Sequence, residues 1–484
     1  MFKWIKKGVA KLNNMLNKPE SKDPSNLTYL EYLVDNFKGS KIREEQITGV
    51  KYYKGEHDIL HRKKYLHMRD NVKKELTNVP NNKRIDNQYA KAVDQKVNYM
   101  LGKIPMYECE DTTYLDKASA VLDVSFHKVL KNLLKDSLNC GISWLYIYID
   151  NESKMKYKRL PAHQICPIWE DEEHTRLNFA FRLYSNTEFI NGAEKTVEYV
   201  DVYTKNSIEK YKLDGKTLNK IGEESYITDI KGNSYNWNDR IPLVAFKYND
   251  DEIPLIRRVK SLQDAINELM SDFNNNMEQD GRNTILVIKN YEGQGLEEFK
   301  NNLANFGAIK VSDDGGVETL TVEVNSENYK SILDLYKNAL IENARCYDAK
   351  DDRLNGQPNQ MNIQSMYSDI DLDANGIEVE YKGSFSYFQK LLRVYLESVT
   401  EFENSDKDIE ITFNKDVLIN ESQVIADVKN SVGVISNNTL IKNHPYVEDV
   451  DEEIQNIEEE KKKDIQTQAE LDYEKQLGGG AIEK

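Results

Sequence analysis

Two long segments with helical periodicity, one on each side of a short strand-rich segment, limit the folds that this chain can adopt. Residues 255–280 contain no Gly or Pro, and their apolar side chains recur at the spacing of an amphipathic helix: Leu255, Ile256, Val259, Leu262, Ile266, Leu269, Met270 and Phe273. At 1.5 Å per residue, a helix of about 26 residues is a rod about 40 Å long. A second rod is predicted over 326–346, where one face carries Ile332, Leu333, Tyr336, Leu340 and Ile341.

The segment between the rods predicts a small α/β insert. It contains a strand over 284–290, a short helix around 295–306, and a strand pair that turns at 312–316 into 317–324. The middle of the chain is therefore predicted to be a rod, a small cap and a second rod.

A polar loop over 348–362 follows the second rod. A third long helix is predicted over 363–403, with a weak point at Asn375–Gly376. The strand predicted after it, 409–413, is expected to pair back with an earlier sheet.

The N-terminal half predicts helices followed by a sheet. Residues 29–101 are predicted to be largely helical, and 119–138 form a second amphipathic stretch that ends before Gly141. The period then changes to that of strands, with turns at Asp214–Gly215 and Lys231–Gly232, and the predicted strands are 142–150, 154–160, 177–184, 195–204, 207–213 and 241–248. Together with the rods, this pattern predicts an α+β fold.

Composition excludes some functions. The 484-residue chain is 39% hydrophobic and carries a net charge of -17, so it can bury sizeable cores but lacks the basic balance of a protein that grips nucleic acid over its whole surface. That balance leaves open a DNA-facing channel that does not hold DNA tightly. The four cysteines are widely spaced without a CxxC, which favours free, mostly buried thiols: Cys109, Cys140, Cys166 and Cys346.

The N-terminal stretch MFKWIKKGVAKLNNML combines apolar residues at helical spacing with lysines. Such a helix could lie on a membrane surface, but a packing helix or a terminal arm is the favoured interpretation. No segment is long and apolar enough to be predicted to cross a bilayer.

No motif predicts an enzyme or a cofactor. The sequence contains no phosphate loop ending in GKS or GKT, no GxGxxG after a strand and no GxSxG elbow. His57 and His61 have the i, i+4 spacing of zinc ligands, but the general-base Glu of HExxH is absent, and a chance pair is the favoured interpretation. Paired carboxylates such as Asp313–Asp314 are most simply surface turns.

The order of these pieces resembles the portal proteins of tailed phages that infect Gram-positive bacteria. Five stretches carry the resemblance, in the same order along the chain: YYKGEHDIL (52–60), NKRIDNQYAKAVDQKVNYMLGKIPMYE (82–108), LLKDSLNCGISWLYIYID (133–150), NQMNIQSMYSDIDLDANGIEVEY (359–381) and GVISNNTLIKNHPYVEDVDEEIQNIEEE (433–460). One departure is Met361 to Ser365, where the family usually has Ser-Gly-Val-Ala-Leu.

The resemblance implies the portal division of the chain into a mixed α/β wing, a two-helix stem, a small α/β clip and a helical crown. The implied parts are an N-terminal arm (1–27), wing (28–250), stem helix (251–281), clip (282–325), stem helix (326–347), tunnel loop (348–362), wing again (363–418), crown (419–470) and a C-terminal tail (471–484).

The implied function is a homo-oligomeric ring, a dodecamer, at one capsid vertex, through which double-stranded DNA is packaged and ejected. The implied partners are other copies of the chain, the DNA, the terminase large subunit, the major capsid and scaffolding proteins, and the head-completion or connector protein, with no membrane. The implied location is the virion, and the host cytoplasm during assembly. The alternative is a structural ring or adaptor of the virion that does not conduct DNA.

Two sets of residues follow from this division. The tunnel loop would bring charged and amide side chains near DNA: Lys350, Arg353, Leu354, Asn355, Gln357, Asn359 and Gln360. The stem would pack through Leu262, Ile266, Leu269, Ile332, Tyr336 and Leu340. In the crown, Val450, Ile454 and Ile457 make the acidic stretch 448–460 an amphipathic helix rather than a free tail.

Overall fold

The structure is a computed structural model that describes residues 24–67, 73–77, 79–150, 152–190, 192–228, 234–280, 284–289, 316–321, 326–348, 360–399, 402, 405–415, 421–447 and 450–478. The chain divides into two compact units. Unit 1 comprises Met1–Cys346 and Asp369–Asp416, and unit 2 comprises Tyr347–Ser368 and Val417–Lys484. The mixture of helices and small sheets in the chain confirms the predicted α+β class.

Unit 1 begins with helices that are capped by short polar side chains. Asp123, for example, accepts a hydrogen bond from the backbone N–H of Phe126 and so starts a new helix. These helices are α1 (Leu27–Lys38), α2 (Lys41–Tyr53), α3 (Gln88–Leu101), α4 (Thr112–Ser119) and α5 (Val124–Cys140), with a 3₁₀ turn at Asp58–His61.

Short strands lie among these helices and longer ones follow them. They are β1 (Tyr65–His67), β2 (Lys73–Glu75), β3 (Met106–Glu108), β4 (Ile142–Ile149), β5 (Met155–Leu160), β6 (Ile165–Trp169), β7 (Leu177–Ile190), β8 (Ala193–Tyr203), β9 (Ser207–Asp214), β10 (Thr217–Ser225), β11 (Ile227–Thr228), β12 (Ser234–Tyr235) and β13 (Leu243–Lys247). The larger sheets have the orders β10-β9-β8-β7-β6 and β13-β4-β5, and every pairing in them is antiparallel.

Both predicted rods are present. They are α6 (Ile256–Asp280) and α7 (Ser326–Asn343), and strands β14 (Thr284–Lys289) and β15 (Gly316–Thr321) pair antiparallel between them. The helix predicted around 295–306 and the turn at 312–315 lie outside the described residues.

The C-terminal part is mainly helical. It comprises α8 (Gln360–Val399), β16 (Glu410–Thr412), α9 (Glu421–Asn430), α10 (Asn437–Lys442) and α11 (Val450–Gly478). Helix α8 is one element of 40 residues, continuous through Asn375 and Gly376.

Two apolar cores hold unit 1 together. The larger one joins the inner faces of α3, α5 and α8 to β4 and β13, and includes Trp144, Phe246 and Phe388. The smaller one lies between α1 and the five-stranded sheet. Gly141 sits where the backbone approaches most closely: its φ is +82°, and a Cβ there would lie 1.8 Å from the carbonyl oxygen of Glu252.

Several expectations need correction. Residues 29–101 are less helical than predicted, because 79–87 form an irregular segment without helix or strand that is bound to α6 by side chains. The helix predicted over 119–138 begins later, at Val124, since Asp123 caps it, and Ser119 ends the preceding helix α4. Strand β16 pairs with β3 and not with either larger sheet. Strands β6 and β10 were not predicted. The turn predicted at Lys231–Gly232 lies outside the described residues.

Candidate functional site

Helices α6 and α7 pack side by side in unit 1. The ring of Phe273 lies 5.1 Å from the ring of Tyr329, and the Asn276 side-chain amide donates to the Tyr329 hydroxyl over 2.8 Å. A cleft of about 360 Å³ between the helices is lined by Leu269, Met270, Phe273, Asn274, Ser326, Tyr329, Lys330 and Leu333. The pair is thus closely packed at some points and open at others.

The six residues predicted for stem packing have different environments. Ile266 and Leu340 are fully buried in the main core. Leu262 and Tyr336 are half-buried against that core, and Leu269 lines the cleft. Ile332, in contrast, is 40% exposed, and the neighbouring Leu335 is 63% exposed. Packing of Ile332 against another copy of the chain stays a prediction.

The fully buried face of α6 includes a polar stripe that the apolar pattern did not indicate. Gln263, Asn267, Ser271 and Asn275 recur every four residues, and none is more than 1% exposed. Since residues at i and i+4 are neighbours on a helix surface, these four side chains form one continuous row that winds slowly round the helix. We call this row the amide ladder.

The amide ladder binds the backbone of residues 82–89. Asn275 Oδ1 accepts from the N–H of Asn82 (2.7 Å) and Ser271 Oγ from that of Arg84 (2.9 Å). Asn267 Oδ1 accepts from the N–H of Asp86 (3.1 Å), and Gln263 Oε1 from that of Tyr89 (2.9 Å). A segment without a neighbouring strand thereby has its backbone donors satisfied by side chains.

His57 closes the network at its buried side. Its Nε2 lies 2.9 Å from the carbonyl oxygen of Tyr52, which can only accept, so Nε2 carries the proton. Its Nδ1 then accepts from the Asn267 side-chain amide over 2.7 Å. Burial lowers the pKa of His57, so the neutral ring that this network requires is also the favoured form.

His57 and His61 have different environments in this fold. His57 is committed to the ladder, whereas His61 ends the 3₁₀ turn and is exposed. Among the residues that the structure describes, no group of three or more His, Cys, Asp or Glu side chains could hold a metal ion. Within the same residues, no helix is long and apolar enough to span a membrane.

The predicted tunnel loop is described only at its edges. Gln360 is the first residue of α8, so the helix begins inside the range predicted for the loop. Lys350, Arg353, Leu354, Asn355, Gln357 and Asn359 lie outside the described residues. Their proximity to DNA stays a prediction.

In unit 2, the acidic stretch forms part of α11. Val450, Ile454 and Ile457 are half-buried, whereas Glu458, Glu459 and Glu460 are exposed, so the amphipathic interpretation agrees with the structure. Before it, Ser436 caps α10 by accepting from the backbone N–H of Thr439. Val434 and Tyr446 remain exposed near this turn.

Comparison with known proteins identifies the class. Residues 39–467 match a family model of phage portal proteins. That match covers most of the chain, so the chain belongs to the family described as "Phage portal protein, SPP1 Gp6-like". The resemblance inferred from the sequence is confirmed.

Two curated relatives have the same breadth of similarity. The portal protein of Bacillus phage SPP1 is 27% identical over 427 residues, covering 86% of this chain and 84% of the relative. The portal protein of Clostridium phage phiCD119 is 26% identical over 437 residues, covering 87% and 93%. Among solved structures, a chain of the virion of a native gene transfer agent particle aligns with a TM-score of 0.38 at 11% identity, over 72% of this chain and 87% of that chain.

Proposed function

We propose that copies of this chain assemble into a closed ring, a dodecamer, at one vertex of a phage capsid, and that double-stranded DNA passes through the ring during packaging and ejection. Membership of the phage portal family supports the proposal. Within the chain itself, the observation that carries it is the pair of rod helices α6 and α7 with apolar side chains left exposed.

Those exposed side chains suit a neighbouring copy. Met277 on α6 is 53% exposed, and Ile332 and Leu335 on α7 are 40% and 63% exposed. Covering each such side chain removes apolar area from water and contributes about 25 cal/mol per Å². In a cyclic ring, one face of a rod contacts a different face of the next copy, so the interface repeats until the ring closes.

In this proposal, the stem is formed by α6 and α7, and the clip 282–325 docks the terminase large subunit. The wing, residues 28–250 and 363–418, would face the major capsid and scaffolding proteins, and the crown would be residues 419–470. The head-completion or connector protein would join later. The protein would be part of the virion, and would occur in the host cytoplasm during assembly, with a structural rather than an enzymatic role.

The loop 348–362 is proposed to lie nearest the DNA. Lys350 and Arg353 would meet phosphates, while Asn355, Gln357 and Asn359 offer uncharged hydrogen bonds. Each phosphate that a protein neutralises releases counterions and strengthens binding. A chain with a net charge of -17 keeps such contacts few, which suits a conduit through which DNA must move.

Electron microscopy of the purified protein tests the assembly. We expect closed rings with an axial hole wide enough for a duplex, and Leu335→Glu should shift the population toward monomers. Val124→Glu is the matched control, because Val124 is 70% exposed on the separate helix α5 and is not assigned to the interface. Rings without an axial hole, or a monomeric wild-type protein, would reject the proposal.

Deletion of residues 352–359 tests the loop separately. We expect the variant to form rings but to fail in DNA packaging, because only the DNA-proximal segment has been removed. Normal packaging by these rings would reject the DNA contact while leaving the ring assembly intact.

A further inference from the structure

The chain passes between the two units at three points. It leaves unit 1 after Cys346, returns at Asp369 and leaves again after Asp416. Within unit 1, the described residues beside all three crossings are joined by polar contacts to one patch on α3 and α8. The patch consists of Lys96 and Tyr99 on α3 and of Asp371, Asp373, Asn375 and Glu378 on α8.

Lys96 joins the first crossing to the second. Its Nζ donates to the backbone carbonyl of Arg345 over 3.0 Å, one residue before the chain leaves unit 1. The same Nζ lies 2.7 Å from Oδ2 of Asp373, four residues after the chain returns. The Lys96 and Asp373 side chains are only 2% and 6% exposed. A single buried ammonium group therefore binds both the segment that leaves unit 1 and the segment that returns to it.

Arg345 is held in an unusual backbone conformation at this point. Its φ is +52°, a left-handed value that a residue with a side chain adopts at a cost. Its guanidinium lies 3.6 Å from Oδ1 of Asp373, and the Tyr248 hydroxyl donates to Oδ2 over 3.0 Å. The turn that follows α7 is therefore fixed at Arg345 through both its backbone and its side chain.

Lys415 performs the same task at the third crossing. It is the penultimate residue of unit 1, and its Nζ lies 3.1 Å from Oδ1 of Asp371 and 3.7 Å from Oε2 of Glu378, with Asn375 as a further partner. Asp371 also accepts from the Tyr99 hydroxyl over 3.1 Å. The patch thus continues along α8 from the Lys96 contact to the Lys415 contact.

We infer that Lys96 and Lys415 are positioning residues that hold all three crossings at one fixed patch of unit 1. A buried ion pair adds little net stability over apolar packing, because removing two charges from water offsets their attraction. A Lys that bonds two distant backbone segments at once instead specifies where each segment lies. Segment 347–368 consequently starts and ends at defined points, and segment 417–484 starts at one, whether or not the protein forms a ring.

Limited trypsin digestion tests the tie between the first two crossings, because Lys350 and Arg353 belong to the segment 347–368 that runs between them. We expect Lys96→Met to raise the initial rate of cleavage after these two residues about tenfold under native conditions, since a tie that opposes local opening is lost. Tyr248→Phe is the matched control. It removes another hydrogen bond to Asp373 but leaves both Lys96 contacts, to Arg345 and to Asp373, in place, so it should change the rate less than about twofold.

Equal acceleration in both variants would show a general loosening and overturn the inference, as would an unchanged rate in folded Lys96→Met. Should Lys96→Met fail to fold, Lys415→Met decides, because Lys415 is at the edge of the patch with 20% of its side chain exposed. Hydrogen exchange in a peptide covering 413–425 should then accelerate. Lys382→Met, which loses only the exposed pair to Glu378, should leave that peptide unchanged. Equal exchange in the two variants would refute the role of Lys415.

All of these readouts are independent of DNA and of ring closure. A failure of the portal proposal would leave them unchanged, and a failure here would leave ring formation by the wild-type protein unchanged.

Discussion

The amide ladder and the Lys96 patch are both buried polar connections, but they are built from different chemistry. The ladder is uncharged and satisfies the backbone donors of a segment without a neighbouring strand. The patch is ionic and joins positions that are far apart in sequence, such as Lys96, Arg345 and Asp373. Neutral side chains are used where many weak bonds act in a row, and charges are used where one group must reach several segments.

This difference predicts different costs of disruption. Removing one partner of a buried ion pair leaves a charge without compensation, at about 3–5 kcal/mol. Removing one neutral rung leaves polar groups unpaired, at about 1–3 kcal/mol for each group.

The largest effect is expected for Asp373→Leu, which leaves the Lys96 ammonium buried beside an apolar side chain. We expect the free energy of unfolding to fall by about 3–5 kcal/mol in urea denaturation at fixed protein concentration. The double variant Lys96→Met with Asp373→Leu should recover most of this loss. If Asp373→Leu alone lowered the free energy of unfolding by less than about 1 kcal/mol, the patch would not be buried in solution.

Asn267→Leu breaks the ladder at its best-connected rung. The N–H of Asp86 and Nδ1 of His57 lose their partners, and we expect a loss of at least about 2 kcal/mol in the same urea assay. Glu268→Leu, on the exposed face of the same helix, serves as the control and should stay within about 0.5 kcal/mol of wild type. Equal effects would contradict the ladder.

Acid should weaken the ladder through His57. Because burial lowers the pKa of this ring in the folded protein, the folded state binds fewer protons than the unfolded state, and stability rises with pH. The contribution is present above the ordinary pKa of about 6.5 and is lost as pH falls through the lowered value. His163 shares the direction of shift, so the measurement compares His57→Gln with wild type.

We expect the stability difference between wild type and His57→Gln to shrink as pH is lowered from 7. His61→Gln, at an exposed position four residues after His57, should parallel wild type at every pH. A constant difference between wild type and His57→Gln would show that the neutral ring is not required.

The smallest effect is expected for Lys382→Met. Lys382 pairs with Glu378 at i, i+4 on α8 over 2.8 Å, and its side chain is 50% exposed. Water screens such a pair, so the free energy of unfolding should change by no more than about 0.5 kcal/mol. A loss as large as that of Asp373→Leu would remove the distinction between exposed and buried charge on this helix.

The long periodic elements were predictable from the sequence, and the polar connections were not. The segments 255–280 and 326–346 correspond to α6 and α7, because the spacing of apolar residues predicts an amphipathic helix directly. The same reasoning treats polar residues as exposed, so it assigned no role to Asn267 although Gln263, Asn267, Ser271 and Asn275 recur at strict i+4 spacing. A polar stripe beside an apolar stripe on one helix was the available signal.

Long-range partners were equally beyond the sequence. The strand at 410–412 was predicted, but its partner β3 is about three hundred residues away, and nothing in either segment specifies the pairing. The same holds for the Lys96 patch, whose members belong to two helices, α3 and α8, that are far apart in sequence. The family division of the chain came from the order of motifs, and the stem, clip and crown limits stay predictions.

The side chains of the amide ladder and the backbone positions that they bind have slightly different spacings. Four residues of helix advance about 6.0 Å, whereas two extended residues advance about 6.6–6.8 Å, so each rung falls about 0.7 Å further out of step. Two such intervals, from Asn82 to Asp86, accumulate a mismatch of about 1.4 Å. The third interval takes three residues, from Asp86 to Tyr89, because α3 begins at Gln88 and helical residues advance only about 1.5 Å each. The two spacings therefore stay in register only over a short length, and the contact reaches Tyr89 because the bound segment itself becomes helical there.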